Sequence, residues 1–120
     1  MRLLVVEDDA LIRLGLVGDL EDAGYEVLEA ANATEAIAIL ETDPRIALLV
    51  TDVDMPGGMD GVRLARYVRH RWPPIQLIVV SGKFNVDLRE LPPGSKFIGK
   101  PHAPGEMLAL VQGLIQSGGA

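Results

Sequence analysis

The stretch Ala47-Leu48-Leu49-Val50-Thr51-Asp52, running on into Val53-Asp54-Met55-Pro56-Gly57-Gly58-Met59-Asp60-Gly61, decides the fold. Its first half is apolar without alternation and too short for a buried helix, so it reads as a strand over about 47–51, covered on both faces. Its second half is a loop by composition. A strand buried on both faces belongs to a parallel sheet with helices above and below it. Ligands in such sheets bind outside the carboxyl ends of the strands, and this end carries a carboxylate, Asp52.

The same pattern recurs outward in both directions. Leu3-Leu4-Val5-Val6 ends in Glu7-Asp8-Asp9, Leu77-Ile78-Val79-Val80 ends in Ser81, and Phe97-Ile98-Gly99 ends in Lys100. Only the run 26–30 ends in nothing that handles phosphate or metal. Helical patterns lie between the runs. Residues 10–23 carry Ala10, Leu14 and Val17, and also Leu16 and Leu20, at helical spacing, and Gly24 stops them. A second helix through about Glu41 starts at a cap, Asn32 or Thr34, with Ala33, Ala36, Ile37 and Leu40 on one face. A third spans 60–70, with a basic outer face that solvates it, and the cluster Arg69, His70, Arg71 and Trp72 closes it. A fourth is expected over 84–91, before Pro92-Pro93-Gly94, and a fifth over 104–116. Strict alternation predicts an α/β fold: one doubly wound domain over 1–120, with a five-stranded parallel sheet and five flanking helices.

Composition narrows the function. The chain has 120 residues, 48% of them hydrophobic, enough for a real core. Eleven basic residues against 17 acidic give a net charge of −6, which disfavours a direct nucleic-acid binder. Without cysteine there is no disulfide or thiolate metal site. No signal-peptide pattern or bilayer-length apolar run is present, so a cytoplasmic protein without a membrane partner is expected. Met1, just ahead of the first strand, points to a natural N-terminus, and Ser117-Gly118-Gly119-Ala120 reads as a frayed end or a linker.

The strand-end residues suit one chemistry. Carboxylates such as Glu7, Asp8 and Asp52, brought within about 4 Å, would repel pairwise by about 4 kcal/mol at an effective dielectric near 20. Such a cluster protonates or holds a cation. Oxygen ligands without His or Cys favour a hard ion, and few protein ligands with open water positions favour Mg²⁺. A fixed carboxylate beside Mg²⁺ can attack a phosphoryl group to give an aspartyl phosphate. Lys100 can neutralise another phosphoryl oxygen, and Ser81 can donate to one. Taken singly, each residue has an ordinary explanation, and Asp9 reads as a helix N-cap. Four chemical residues at the ends of alternating strands are harder to explain separately.

The motifs Leu4-Val5-Val6-Glu7-Asp8-Asp9, Thr51-Asp52-Val53-Asp54-Met55-Pro56-Gly57-Gly58-Met59-Asp60-Gly61, Val79-Val80-Ser81-Gly82 and Lys100-Pro101 resemble, in order and spacing, the receiver domain of two-component response regulators, the chemotaxis-regulator type. The resemblance covers essentially the whole chain. It implies a flavodoxin-like sheet of order 2-1-3-4-5 with the site at the switch point between strands one and three. It implies Asp52 as phospho-acceptor, Glu7 and Asp8 as the acidic pair that holds Mg²⁺, and the Asp54 backbone carbonyl as a further ligand. Ser81 is then the switch hydroxyl, Phe97 the switch aromatic, and the Lys100–Pro101 bond a cis peptide with Lys100 reading the phosphate. A histidine kinase or phosphotransfer protein would be the phosphodonor. An unknown downstream protein would read the face of helix four, strand five and helix five, and the chain would be a monomer or weak dimer.

This sequence departs from that pattern in places. Phe97 has no hydroxyl where many relatives carry Tyr, so its coupling must rest on packing. Asp54 adds a carboxylate that, facing the site, would repel a phosphodonor or orient a hydrolytic water; facing solvent, it would do nothing. His70 fits a surface residue better than a phosphorelay histidine. Two alternatives compete. Asp52-Val53-Asp54 also resembles the Asp-x-Asp of haloacid-dehalogenase-type phosphatases, though Met55-Pro56 follows it and the later paired acids are missing. A pseudo-receiver that binds partners without phosphate is the other. The expected protein is a switch, not an enzyme beyond its own phosphorylation and dephosphorylation.

Overall fold

A computed structural model describes residues 2–55, 59–82 and 88–118. The strands are β1 (Arg2–Val6), β2 (Glu26–Ala30), β3 (Ile46–Asp52), β4 (Gln76–Ser81) and β5 (Lys96–Gly99). All pair in parallel, in the order β2-β1-β3-β4-β5. The helices are α1 (Ala10–Asp22), α2 (Ala33–Thr42), α3 (Gly61–Arg71) and α4 (Pro104–Gly118), with a 3₁₀ turn at Leu88–Glu90. The doubly wound fold is therefore as expected. The helix count is not: the described residues hold four α-helices instead of five. Of the helix expected over 84–91, residues 84–87 lie outside the described residues, and the rest forms only the 3₁₀ turn. Pro92 and Pro93 forbid its continuation, since neither can donate a backbone N–H.

Strand residues alternate between two cores. Leu4, Val6, Leu49, Leu77 and Val79 pack in one cluster with Ala36 and Leu40 of α2 and Leu64, Ala65 and Val68 of α3. Leu3, Val5, Leu48, Val50, Ile78 and Val80 pack on the opposite face with Val17 and Leu20 of α1 and Met107, Val111 and Leu114 of α4. Each fully buried leucine contributes roughly 1.5–3 kcal/mol. This burial on both faces is what an apolar run without alternation demands.

Local chemistry sets the helix starts. Asp9 Oδ1 accepts from the amides of Leu11 (2.9 Å) and Ile12 (3.2 Å). Asn32, not Thr34, caps α2, with Oδ1 accepting from the Glu35 amide at 2.9 Å, while Glu35 Oε1 accepts from the Ala31 amide at 2.8 Å. Such reciprocal caps satisfy two orphan donors at once. Asp60 Oδ1 accepts from the Arg63 amide at 2.9 Å and starts α3. Gly24, at φ 99°, takes the left-handed turn that ends α1.

Candidate phosphoryl site at the switch point

Parallel register brings the chemical residues to one edge. Val6 lies opposite Ala30 and Thr51, Asp52 opposite Val80, and Ser81 opposite Gly99. The ladder continues past the strand ends: the Val53 amide donates to the Val80 carbonyl (2.9 Å) and the Lys100 amide to the Ser81 carbonyl (2.9 Å). These bonds place Glu7, Asp52, Ser81 and Lys100 at the edge beside the central strands. Glu7, Asp52 and Ser81 are buried, whereas Asp8 is exposed. The Lys100–Pro101 peptide is cis.

Lys100 spans the two buried acids. Its Nζ donates to Glu7 Oε1 at 2.8 Å and to Asp52 Oδ2 at 3.0 Å. Burial alone would depress the ammonium, but the hydrogen bonds to Glu7 and Asp52 outweigh it and hold it above its ordinary value. Lys100 is therefore charged at any physiological pH and neutralises part of the acidic charge. The Asp8 carboxyl is pushed above its ordinary value, first by its hydrogen bond with Glu7 and then by burial. One oxygen from each of Glu7, Asp8 and Asp52 lies within 4.8 Å of the others. Ligand oxygens around one Mg²⁺ stand at most about 4.2 Å apart, twice the bond length. Three ligands of one octahedral ion have at most one such trans pair and otherwise stand about 3 Å apart, so the side chains of this triad would draw together on a single hard cation. Glu7 and Asp52 open onto a cavity of about 160 Å³ walled by Ile12 and Leu16 of α1 and by His102.

Three residues to which the sequence assigned no role complete the frame. Arg13 Nη1 donates to the Glu7 carbonyl at 2.8 Å while its Nε donates to Glu29 Oε1 at 2.9 Å, tying the acidic loop to β2. Thr51 Oγ1, buried, donates to the Asp52 carbonyl at 3.0 Å. Gly61 presses on the same group: a Cβ there would stand 1.9 Å from the Asp52 carbonyl oxygen. Its amide also donates to the Val53 carbonyl at 2.8 Å. The Asp-Gly pair at the start of α3 was the visible signal for Gly61; nothing local marked Arg13 or Thr51. Asp54 has an exposed side chain, and Phe97 is half-buried on β5 opposite Val79.

Fold and site together define a flavodoxin-like α/β domain with a cation-ready carboxylate triad and a bridging lysine at its switch point. Residues 3–112 match the family described as response regulator receiver domain, and the chain belongs to that family. It is 37% identical over 103 residues to the response regulator receiver protein CpdR of Brucella abortus, covering 83% of this chain and 84% of that one. It is equally 37% identical, over 117 residues, to the sensor kinase CckA of the same organism, covering 94% of this chain but 12% of the kinase. Among solved structures, a receiver protein from Sinorhizobium medicae superimposes with TM-score 0.91 at 25% identity, covering 98% of this chain and 96% of that one. The receiver domain of the hybrid histidine kinase CckA does so with TM-score 0.81 at 33% identity, covering 96% and 99%. The chain is thus a phosphorylation-dependent signalling element of the two-component type, a class that takes phosphate from histidine kinases. Among the described residues no helix is long and apolar enough to cross a membrane.

Proposed function

We propose that residues 1–120 form one receiver domain, that Asp52 is its phospho-acceptor, and that Glu7, Asp8, the Asp52 side chain and the Asp54 backbone carbonyl hold Mg²⁺. The observation that carries this is the Lys100 ammonium shared between Glu7 and Asp52, beside a triad of carboxylates that gathers one oxygen from each of Glu7, Asp8 and Asp52 within 4.8 Å. An Asp52 carboxylate oxygen attacks the phosphorus of a phosphohistidine. The phosphorus–nitrogen bond breaks with its electron pair returning to the imidazole, and an acyl phosphate forms. Bound Mg²⁺ would supply charge neutralisation at the transferring oxygens. Lys100 moves from the carboxylate to a phosphoryl oxygen, and the Ser81 hydroxyl donates to another. Water later attacks the phosphorus, releasing phosphate and restoring the carboxylate.

The switch then runs through Ser81 and Phe97 to a downstream protein, by packing alone since Phe97 has no hydroxyl. We read the domain as a cytoplasmic monomer or weak dimer with no direct nucleic-acid partner. On its apolar side, α1 presents Leu11 (82% exposed) and Leu14 (57% exposed), with Ile12 lining the site cavity. Exposed apolar surface of this kind marks a partner contact, and here it suits a histidine-phosphorylated donor that must reach Asp52.

Acetyl phosphate with Mg²⁺ tests the reading. A single phosphoryl group per chain is expected, with no continuing turnover of p-nitrophenyl phosphate. Sustained turnover would instead make the chain a phosphatase, and absence of label with any donor would leave a phosphate-independent binding module. Asp54→Asn is expected to change the half-life of the phosphoprotein severalfold; equal half-lives would remove any role for that carboxylate.

A further inference from the structure

β2 is the strand whose end carries nothing that binds phosphate or metal, yet it holds the acidic loop twice. The Glu7 amide donates to the Ala30 carbonyl at 3.1 Å. The Glu7 carbonyl accepts from Arg13 Nη1 at 2.8 Å, and Arg13 Nε donates to Glu29 Oε1 at 2.9 Å. A guanidinium is a rigid planar fork, so fixing Nε on Glu29 also fixes where Nη1 points. The Arg13 side chain is only 18% exposed, which keeps this bridge largely out of water.

The carbonyl that Arg13 holds lies in the planar peptide ending on the Asp8 Cα. Lys100 grips Glu7 and Asp52 directly, and Glu7 Oε2 accepts from the Asp9 amide at 3.2 Å. Asp8, the exposed member of the triad, is reached by Arg13 through that peptide plane. Such rigidity matters unequally for two hard cations. Mg²⁺ demands near-octahedral ligands at about 2.0–2.1 Å, whereas Ca²⁺ accepts variable geometry at about 2.3–2.6 Å. Fixing the backbone behind two ligands therefore favours Mg²⁺. The charge of Arg13 acts differently, since it repels either divalent ion alike.

We propose that the Arg13–Glu29 pair is a positioning device that makes the acidic triad select Mg²⁺ over Ca²⁺. This rests on the reading of Glu7, Asp8 and Asp52 as a cation site. Arg13 acts through the Glu7 carbonyl and is not itself a ligand.

Calorimetric titration of the full chain with Mg²⁺ and, separately, with Ca²⁺ tests it. Arg13→Gln is expected to weaken Mg²⁺ about tenfold, the low end of the loss when a partner behind a metal ligand is removed, and to lower the Mg²⁺/Ca²⁺ affinity ratio by about threefold or more. Glu29→Ala keeps the charge of Arg13 but frees its fork. It should lower the ratio in the same direction and add little to Arg13→Gln in the double variant. Arg13→Lys keeps the charge without the fork and should not restore the ratio. A change of charge or of overall stability alone would move both affinities together. The proposal is overturned if the ratio is unchanged in Arg13→Gln, or if Arg13→Lys restores it. A wild type that binds Mg²⁺ while the ratio stays fixed in Arg13→Gln overturns the clamp alone. A wild type that binds no Mg²⁺ overturns the cation-site reading and the clamp together.

Discussion

Helices α1 and α3 flank the same acidic pocket yet meet solvent in opposite ways. α3 buries Gly61, Val62, Leu64, Ala65 and Val68 and turns arginines outward. α1 buries only Val17 and Leu20, and leaves Leu11, Ile12 and Leu14 largely in water. α3 is fixed by this chain alone, down to the contact of Gly61 with the Asp52 carbonyl. α1 carries an apolar surface in Leu11, Ile12 and Leu14 that is exposed to solvent. On the proposed function the difference separates two tasks: α3 would position Asp52 as phospho-acceptor, and α1 would meet whatever delivers the phosphoryl group.

The largest expected effect is at Gly61. Its Cβ position overlaps backbone, which cannot move aside as a flexible side chain can. Gly61→Ala should cost about 1–3 kcal/mol or more, typical of overpacking, and displace Asp52 enough to abolish labelling by acetyl phosphate. A melt and a labelling assay on the same sample check this; wild-type values in both would break the α3 half of the comparison. Next comes the α1 surface. Leu11→Glu with Leu14→Glu should leave acetyl phosphate labelling unchanged. It should slow transfer from any histidine-phosphorylated donor that labels the wild type by tenfold or more, about 1.4 kcal/mol in the barrier. Equal transfer rates would mean that α1 is not the docking face.

Smaller effects sharpen the same contrast. Gly15→Ala on α1 meets nothing within 4 Å, so it should stabilise by about 0.5–1 kcal/mol through helix propensity. A loss of stability on urea denaturation would show that α1 packs more tightly than it does here. Asp8 gives the smallest shift. An acid whose folded pKa is raised costs stability at any pH where it is ionised, and that cost disappears as pH falls through the raised value. Without Mg²⁺, Asp8→Asn should therefore stabilise by less than about 1 kcal/mol at neutral pH, discounted for its exposure. The gain should vanish on acidification. A gain that grew as pH fell would reverse the assigned cause.

How much of this could be read from the residues depends on range. The strand ends were legible because an apolar run and its terminal chemistry sit side by side in sequence; Asp9 announced its cap for the same reason, while the cap of α2 stayed open between Asn32 and Thr34 until the fold chose Asn32. α1 was harder. Ala10, Leu14 and Val17 share helical spacing and suggested one buried face, yet Leu14 is 57% exposed. A helix apolar on nearly all sides has no periodicity to choose a face. The segment before Pro92-Pro93 suggested a fourth helix that its described part does not form. Arg13, Thr51 and Gly61 act through contacts to strand ends or backbone carbonyls, which only the fold creates. The basic face of α3 read as mere solvation, because sequence cannot show that Arg69 folds back onto the Pro73 and Ile75 carbonyls.

The central claim is that Asp52, positioned by Gly61 and bridged by Lys100, takes the phosphoryl group. Peptide mapping of the chain after acetyl phosphate and Mg²⁺ tests it most directly. The account predicts a single hydroxylamine-sensitive phosphate in the peptide containing Asp52, absent in Asp52→Asn and in EDTA. Phosphate of equal amount in Asp52→Asn, or on a residue away from the triad, would contradict it.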